Sequence, residues 1–382
     1  MNTIEILDKL IAFPTVSRNS NLELIGFIED YLRGHGVLSR LIHSEDGGKA
    51  NLHAVIGPED VPGVMLSGHT DVVPVEGQDW SSDPFVMREA DGRQYGRGTA
   101  DMKGFIASVL AAVPEMNRRE LARPIHLAFS YDEEIGCIGV RRMIEVLADA
   151  PVRPAFCIIG EPTEMQVAIG HKGKTDAWCH CHGVESHSAL APNGLNAIYL
   201  AGEMIQAIRD LQAYVIETGA RDDHYAVPYT TLHVGVIQGG TALNIVPNAC
   251  SFRFEIRNLL EDDPMALMAK LEAKSEEIAG AYRERFPTAG IEVTISNEYP
   301  GLNTEPDAEI VTFVKSLTGA NDHMKVAFGT EGGLFSERLG LPTVVCGPGS
   351  MDQGHKPDEF IAASQLAACD GFLGRLVERL GA

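Results

Sequence analysis

The sequence predicts an α/β protein in which one domain interrupts another. Short apolar segments, typical of buried strands, alternate with helix-like segments in the first half of the chain and return near its end. Between them, longer segments alternate apolar with polar residues, as half-buried strands do. We therefore predict a discontinuous domain, residues 1–175 and 297–382, interrupted by a second domain, residues 176–296.

The sequence predicts a helix near the start of the discontinuous domain. Ser20 followed by Glu23 is a capping-box pattern, and the apolar residues after it fall on one helical face. Segments that are apolar on both faces and bounded by glycine or proline are typical of strands buried within a sheet. Such segments lie at 64–66, 125–130, 155–159 and 343–346. We predict a mixed sheet with helices on both faces.

The interrupting domain has the predicted order β-α-β-β-α-β, the ferredoxin-like arrangement. Its strands are expected near 177–182, 232–236, 252–256 and 291–295. One helix is expected to start near Gly194, and Asp263 before Pro264 predicts the N-cap of the other. In Cys179-His180-Cys181-His182 the alternation places cysteines and histidines on opposite faces. This predicts structural cysteines and no zinc knuckle.

The composition limits the kinds of molecule that we expect the chain to bind. The chain has 31 basic and 53 acidic residues and a net charge of −22, which disfavours nucleic acid or an anionic membrane. The charge is compatible with metal cations and cationic substrates, although it also fits simple solubility. No secretory signal and no apolar run of about 18 residues is evident. Seven scattered cysteines favour a reducing compartment, so we expect a cytoplasmic protein.

Histidines and carboxylates gather at the ends of the predicted strands. If these strands are parallel, their carboxyl ends open on one crevice. Each residue alone has a simpler interpretation as a helix N-cap, a loop histidine or a surface acid. Together they predict a site for divalent zinc, cobalt or manganese, since cations would offset the repulsion among carboxylates. The residues are His69, Asp71, Asp101, Glu133, Glu134, Glu161 and His355.

The motifs at 69–71, 98–104, 132–134 and 160–163 resemble those of the aminoacylase/desuccinylase/carboxypeptidase family of dinuclear zinc hydrolases. The resemblance covers essentially the whole chain. It implies a zinc-peptidase-like catalytic domain that binds two Zn²⁺, with Co²⁺ or Mn²⁺ as possible substitutes. It also implies that residues 176–296 form a lid and dimerisation domain.

The resemblance implies a role for each motif residue. Asp101 would bridge two metals, His69 and Glu161 would complete one site, and Glu134 and His355 the other. Glu133 would be the general base, and Asp71 would orient His69. Neighbours on an extended segment point to opposite sides, so one glutamate can bind metal while the next faces the attacking water.

The resemblance also assigns residues of the interrupting domain. His187 would reach the active site of a partner subunit and stabilise the oxyanion, which implies a homodimer, although a loop histidine is the alternative. Asn244 and Arg257 resemble substrate-contacting positions, and Arg257 could equally be a surface residue. Outside this domain and apart from the resemblance, Glu331 is a further candidate for substrate binding, because its carboxylate could lie near a side-chain ammonium group of the substrate.

The segments 329–335 and 355–360 resemble the deacetylases of the family. The desuccinylases typically carry a Thr-Ser-Asp-Gly-like stretch at the first of these positions. The resemblance therefore implies a small-molecule N-acyl amino acid as substrate, N-acetyl-L-ornithine, cleaved to L-ornithine and acetate in arginine biosynthesis. Succinyl-diaminopimelate desuccinylase, acetylcitrulline deacetylase and a broad N-acyl-amino-acid deacylase remain alternatives. A further alternative is a non-catalytic relative that only binds metal or an acyl-amino acid.

Overall fold

The computed structural model describes residues 1–382 and divides into two compact units. The first unit consists of Met1–His171, Leu302–Val326 and Thr330–Ala382. The inserted unit consists of Lys172–Gly301 together with Ala327–Gly329. Its main segment begins and ends a few residues outside the predicted 176–296.

The chain has nine α-helices. They are α1 (Thr3–Ile11), α2 (Leu22–Gly34), α3 (Gly104–Arg118), α4 (Val140–Ala148), α5 (Ala197–Thr218), α6 (Pro264–Gly280), α7 (Glu309–Thr318), α8 (Gly332–Leu339) and α9 (Ala363–Leu380).

The strands are β1 (Ser39–His43), β2 (Ala50–Ile56), β3 (Val64–His69), β4 (Arg88–Ala90), β5 (Arg93–Tyr95), β6 (Ile125–Ser130), β7 (Phe156–Pro162), β8 (Ala168–His171), β9 (Gly173–His182), β10 (Ser186–His187), β11 (Thr231–Gly239), β12 (Ile245–Val246), β13 (Ala249–Asn258), β14 (Gly290–Tyr299), β15 (Leu302–Asn303), β16 (Met324–Val326), β17 (Thr343–Gly347) and β18 (Phe360–Ala362).

The first unit is built on a nine-stranded mixed sheet. Its order is β1-β2-β6-β3-β7-β17-β8-β15, and β16 pairs with β8. The four strands predicted from apolar segments, β6, β3, β7 and β17, are adjacent and parallel. Every residue of these four strands is buried, which explains why their sequences are apolar on both faces.

Helices cover both faces of this sheet. Val64 and Leu66 of β3 join one continuous core with residues of α1, α2, α3, α7 and α9. Met65, which points to the opposite face, is buried but lies outside that core. The buried residues of α4 and α8 also lie outside it, and these two helices contact each other. The predicted α/β class with helices on both faces is confirmed.

The inserted unit has a four-stranded antiparallel sheet of order β11-β13-β9-β14 and a small two-stranded antiparallel sheet, β10-β12. In chain order its main elements are β9, α5, β11, β13, α6 and β14, which is the predicted β-α-β-β-α-β succession. Cys179 and Cys181 pack with Phe252 and Phe254 in a separate core with both helices. All seven cysteines are free and buried, as expected for structural cysteines.

Two predicted helix starts were wrong, and one was right. The capping box at Ser20 does not form, because α2 begins at Leu22 and its N-cap is Asn21. The Asn21 side chain is instead held by both backbone groups of Ala50. The helix expected near Gly194 begins at Ala197 after a short helical turn. Asp263 caps α6 through the backbone N–H of Met265, as predicted.

No helix of the protein is both long enough and apolar enough to span a membrane.

Candidate metal centre

Four neighbouring parallel strands end at one edge of the central sheet. β3 ends at His69, and β7 carries Glu161 near its end. β6 leads into the segment with Glu133 and Glu134, and β17 leads into the loop with His355. Because the carboxyl ends of adjacent parallel strands share an edge, these side chains converge.

Asp101 lies between two imidazoles. Its Oδ1 is 3.0 Å from Nε2 of His69, and its Oδ2 is 3.1 Å from Nε2 of His355. Each imidazole also faces a second carboxylate: Oε1 of Glu161 lies 3.5 Å from His69, and Oε2 of Glu134 lies 3.0 Å from His355. The five residues predicted as metal ligands therefore form one cluster, with Asp101 at its centre.

The cluster is buried on one side and accessible on the other. The side chains of His69 and Glu161 are only 1% and 3% exposed, whereas that of His355 is 51% exposed. Glu133 is half-buried and offers a carboxylate oxygen within 4.8 Å of ligand atoms of His69 and Glu161. A small molecule can thus approach from the His355 side.

The segment that presents Asp101 depends on a glycine. Gly98 has φ +86°, a left-handed conformation that favours glycine. A Cβ at this position would lie 2.6 Å from Cγ1 of Val72. The peptide bond between Asp101 and Met102 is cis. A side chain at position 98 would therefore displace the backbone that leads into Asp101.

Asp71 holds the backbone of the two adjacent glutamates. The backbone N–H groups of Glu133 and Glu134 donate to its two carboxylate oxygens at 3.1 and 3.3 Å. The Ser17 hydroxyl donates to Oδ2 at 2.8 Å. Lys49 bridges the Ser17 carbonyl and Asp132. Nothing in the sequence signalled Ser17 or Lys49, because their role depends on segments distant in the chain.

The nearest partner of the His69 ring is a backbone group. Nδ1 of His69 lies 2.9 Å from the carbonyl oxygen of Asp71 and 3.6 Å from its carboxylate. A ligating histidine commonly donates its other ring N–H to a carbonyl or a carboxylate. With Nδ1–H donating to this carbonyl, Nε2 is the nitrogen that faces Asp101.

Burial and neighbouring charges shift the pKa of several groups in this cluster. Burial, reinforced by neighbouring carboxylates, raises the pKa of Glu133 to about 8 and that of Glu134 to about 7, and raises the pKa of Glu161 well above its usual range. Contacts with Asp101 and Glu134 raise the pKa of His355 to about 10. Burial alone would lower the pKa of His69, but three nearby carboxylates outweigh it and raise that pKa strongly.

This donor set fits two divalent cations. Four carboxylates and two imidazoles meet in one place, and the imidazoles hold protons only because carboxylates surround them. Divalent ions bind imidazoles in their deprotonated form and would replace these protons while offsetting more negative charge. Nitrogen and oxygen donors of this kind suit zinc, cobalt or manganese.

One cysteine belongs to the surroundings of this site, and the sequence did not signal it. The Cys137 thiol donates to Oε1 of Glu133 at 3.2 Å. Burial, together with the charge of Glu133, raises the pKa of this thiol well above its usual range. The thiol therefore stays protonated and acts as a hydrogen-bond donor to Glu133, which a thiolate ligand could not do.

Glu331, predicted near the substrate, is buried next to the sheet edge that carries the candidate metal ligands. Its side chain is about 1% exposed, and Ser67 donates to its Oε2 at 3.3 Å. Burial raises its pKa to about 7. In this conformation the carboxyl group faces the protein interior and does not contact solvent.

The three remaining predicted residues lie in the inserted unit. His187 is exposed, and its Nδ1 accepts a hydrogen bond from the backbone of Ala189 at 3.1 Å. Asn244 is also exposed and close by, since its carbonyl accepts from the N–H of Ser188. Arg257 is half-buried and pairs with Glu255 at 3.1 Å, and it also donates to the Tyr299 hydroxyl.

Comparison with known proteins identifies the family. The sequence profile of peptidase family M20/M25/M40 matches residues 65–379. This chain belongs to that family. The acetylornithine deacetylase of Proteus mirabilis (strain HI4320) is 33% identical over 98% of this chain and 96% of its own length. The acetylornithine deacetylase of Myxococcus xanthus is 34% identical over 97% and 95%.

Solved structures of the M20 family share the fold. The M20 family metallo-carboxypeptidase Sso-CP2 from Sulfolobus solfataricus superimposes with a TM-score of 0.80 at 18% identity, covering 99% of both chains. The YXEP protein of Bacillus subtilis, described as a dinuclear metal binding peptidase from the M20 family, gives a TM-score of 0.67 at 17% identity, over 99% and 97%. Membership of the M20 family and the similarity to two acetylornithine deacetylases show that this chain is an enzyme, a metal-dependent amidohydrolase of the deacylase type.

Proposed function

We propose that the chain removes the acetyl group from N-acetyl-L-ornithine and releases L-ornithine and acetate. The main support is the similarity to two acetylornithine deacetylases over nearly the whole chain. The net charge of −22 is compatible with a substrate that carries a side-chain ammonium group. We place the reaction in arginine biosynthesis and in the cytoplasm, and the seven free thiols fit a reducing compartment.

We propose two zinc ions, with cobalt or manganese as possible substitutes. His69, Asp101 and Glu161 would hold one ion, and Asp101, Glu134 and His355 the other. Divalent ions held there would supply positive charge that polarises the amide carbonyl and makes the attacking water more acidic.

Glu133 is the proposed general base. Its half-buried carboxylate takes a proton from the attacking water as the new C–O bond forms at the acetyl carbonyl carbon. As the C–N bond breaks, Glu133 passes this proton to the departing amine nitrogen. The Cys137 thiol and the Asp71 carboxylate hold the side chain and the backbone of Glu133 during both transfers.

The test of this function is amine release from N-acetyl-L-ornithine by the zinc-loaded protein. N-succinyl-L,L-diaminopimelate, N-acetylcitrulline and a panel of N-acyl amino acids are measured beside it, with a chelator-treated control. We expect chelator-sensitive turnover with the highest kcat/KM on N-acetyl-L-ornithine. A higher kcat/KM on another substrate would retain the deacylase chemistry and overturn the proposed substrate.

We further propose a homodimer formed through the inserted unit. β11 is an edge strand of its sheet, and edge strands present unpaired backbone groups that can pair with another chain. Val236 and Ile237 on this strand are 47% and 51% exposed, and Leu243 beyond it is fully exposed. An apolar edge of this kind suits a second copy of the same strand.

Light scattering coupled to size-exclusion chromatography tests the dimer. Ile237→Lys should convert the dimer into monomers, because it places a charge on the proposed interface. Leu38→Lys is the matched control, since Leu38 is an exposed leucine of the first unit and its replacement should leave the dimer intact. A wild-type monomer would contradict the proposal.

Subunit mixing tests whether His187 acts in the partner's site. A His187→Ala chain and a Glu133→Gln chain, each inactive alone, should regain activity when mixed. Up to about a quarter of the wild-type rate is expected, since half of the dimers are mixed and each contains one complete site. No recovery in mixtures shown to exchange subunits would confine His187 to its own chain.

A further inference from the structure

A single buried carboxylate organises the backbone around Asp101. Glu359 is about 1% exposed and accepts four hydrogen bonds. Its Oε1 receives the backbone N–H groups of Ala100 and Asp101 at 2.9 and 3.1 Å. Its Oε2 receives the N–H of Gly98 at 3.0 Å and the Arg97 guanidinium at 2.6 Å. One side chain thus holds the segment from Arg97 to Asp101.

The same carboxylate is connected to His355 through two polar side chains. The Arg97 guanidinium, held by Glu359, also donates to Oε1 of Gln78 at 2.6 Å. Nε2 of Gln78 donates to the backbone carbonyl of His355 at 2.9 Å. The ring of Trp80 lies 5.0 Å from Arg97, and its indole N–H donates to Gln78 at 3.0 Å. A continuous hydrogen-bonded path therefore joins Asp101 to His355.

This path connects two residues that must be placed together. Asp101 lies on an irregular turn, Thr99–Lys103, and His355 lies in a loop with a positive φ of 61°. Neither residue has a sheet or a regular helix to fix its position. The two are nevertheless 3.1 Å apart, which requires that their backbones be held independently of secondary structure.

We propose that Glu359 is a positioning residue for the metal centre. Its carboxylate holds the backbone that carries Asp101, and through Arg97 and Gln78 it holds the loop that carries His355. The inference rests on the proposed ligand roles of Asp101 and His355 and is independent of which amide is the substrate. Residues behind the ligands can change metal affinity by about 10–100-fold.

The alternative is that Glu359 and Arg97 only stabilise the fold as a buried ion pair. The two roles differ in what they change in protein that remains folded. A stabilising pair affects the thermal midpoint and leaves metal affinity unchanged. A positioning residue also changes the affinity for metal at temperatures far below the midpoint, since it sets the geometry of the ligands.

The experiment is a zinc titration against a competing chelator, with Glu359→Gln compared with the wild-type full chain. We expect metal affinity to fall about 10–100-fold, with partial recovery in Glu359→Asp, which keeps the charge. Hydrogen exchange at the amides of Ala100 and Asp101 should accelerate in the metal-free variant as well. Asp176→Asn is the matched control, because Asp176 is a buried carboxylate paired with Arg253 inside the inserted unit.

A second variant covers the case in which Glu359→Gln does not fold. Gln78→Met keeps the side-chain length at a half-buried position and removes both the acceptor for Arg97 and the donor to His355. We expect it to fold normally and to bind zinc at least about 10-fold more weakly.

The possible outcomes separate this inference from the proposed substrate. Unchanged zinc affinity in folded Glu359→Gln, or in Gln78→Met should the first variant not fold, would overturn the positioning role. A wild-type chain that binds no divalent metal would overturn the ligand roles and this inference together. A wild-type chain that binds zinc and ignores N-acetyl-L-ornithine would overturn only the proposed substrate.

Discussion

Two adjacent glutamates have different surroundings, although they are chemically identical. Glu134 contacts the imidazole of His355, while Glu133 receives the thiol of Cys137. Asp71 holds the backbone N–H groups of both glutamates, so the division of roles depends on where each side chain points. These contacts support the different roles proposed for the two glutamates.

Replacing Glu133 with glutamine should abolish proton transfer and leave metal binding intact. We expect kcat to fall by about 10²–10⁴-fold, with little change in KM, because a glutamine cannot take up the proton of the attacking water. Steady-state kinetics with zinc content measured in the same samples is the test. Glu145→Gln, an exposed glutamate on α4, is the control and should retain wild-type turnover. Equal loss of zinc and activity in Glu133→Gln would instead make Glu133 a ligand.

At the scale of single elements, strand β7 and helix α3 are packed without space for an additional carbon atom. A Cβ at Gly160 would lie 2.1 Å from the ring of Phe105. By contrast, Gly26 in the middle of α2 has nothing within 4 Å of its Cβ position. Close packing therefore requires a glycine at position 160 but not at position 26, although both positions lie inside regular elements of the first unit.

The pair of alanine substitutions at these glycines should change stability in opposite directions. Gly160→Ala should lower the free energy of unfolding by about 1–3 kcal/mol or more, since the packed ring must move. Gly26→Ala should raise it by about 0.5–1 kcal/mol, because alanine restricts the unfolded chain and favours the helix. Urea denaturation of both variants is the measurement, and a stabilised Gly160→Ala would refute the packing argument.

Strands β2 and β6 place two histidines side by side. The rings of His53 and His126 stack at 5.5 Å, and their facing nitrogens are 3.3 Å apart. Burial lowers the pKa of each to about 4, and the positive charge of Arg40 adds to the effect on His53. In the unfolded chain both side chains titrate near pH 6.5.

This pair makes stability dependent on pH. Between about pH 6.5 and 4 the unfolded chain binds more protons than the folded chain, so the free energy of unfolding falls as the pH is lowered through this range. Above about pH 6.5 both states are neutral at these positions and the contribution is fully retained. Between about pH 7.5 and 5, the free energy of unfolding of His126→Leu should therefore fall by about 2 kcal/mol less than that of the wild type. A His126 ring that titrates near 6.5 by NMR would contradict this.

At the scale of the whole molecule, the two units have separate hydrophobic cores. All five proposed metal ligands belong to the first unit. The inserted unit has a complete four-stranded sheet with its own buried residues from α5 and α6. Metal should consequently stabilise the first unit through binding and leave the inserted unit unaffected.

Two experiments test whether the inserted unit is independent of the metal centre: removal of metal with a chelator, and isolation of the inserted unit as a fragment. Removing metal should lower the thermal midpoint of the first unit, since a ligand at about 100 times its dissociation constant stabilises by about 2.7 kcal/mol. A fragment of residues 172–301 should unfold cooperatively by itself, with a midpoint insensitive to chelator. Calorimetry measures both. An unstructured fragment would show that the inserted unit depends on the rest of the chain.

The sequence by itself determined the α/β class, the four buried strands and the candidate ligands. These features depend on local patterns: apolar runs for buried strands, alternation for half-buried ones, and polar motifs directly after strand ends. Helix starts were less predictable, because Asn21 and Ser20 could each have capped α2. The Asn21 side chain formed its hydrogen bonds with Ala50, a partner distant in the chain.

Only the tertiary structure decided which residues support the site. Hydrogen bonds to segments far away in the sequence are made by Glu359, Ser17 and Lys49. Bonds of this kind produce no periodic pattern and no fixed spacing in the sequence. The burial of Glu331 was also decided at this level, because its hydrogen-bond partner, Ser67 of β3, is far away in the sequence. Local sequence patterns identified the side chains that can bind metal. The distances between these side chains, their burial and the charges around them depend on the folded chain.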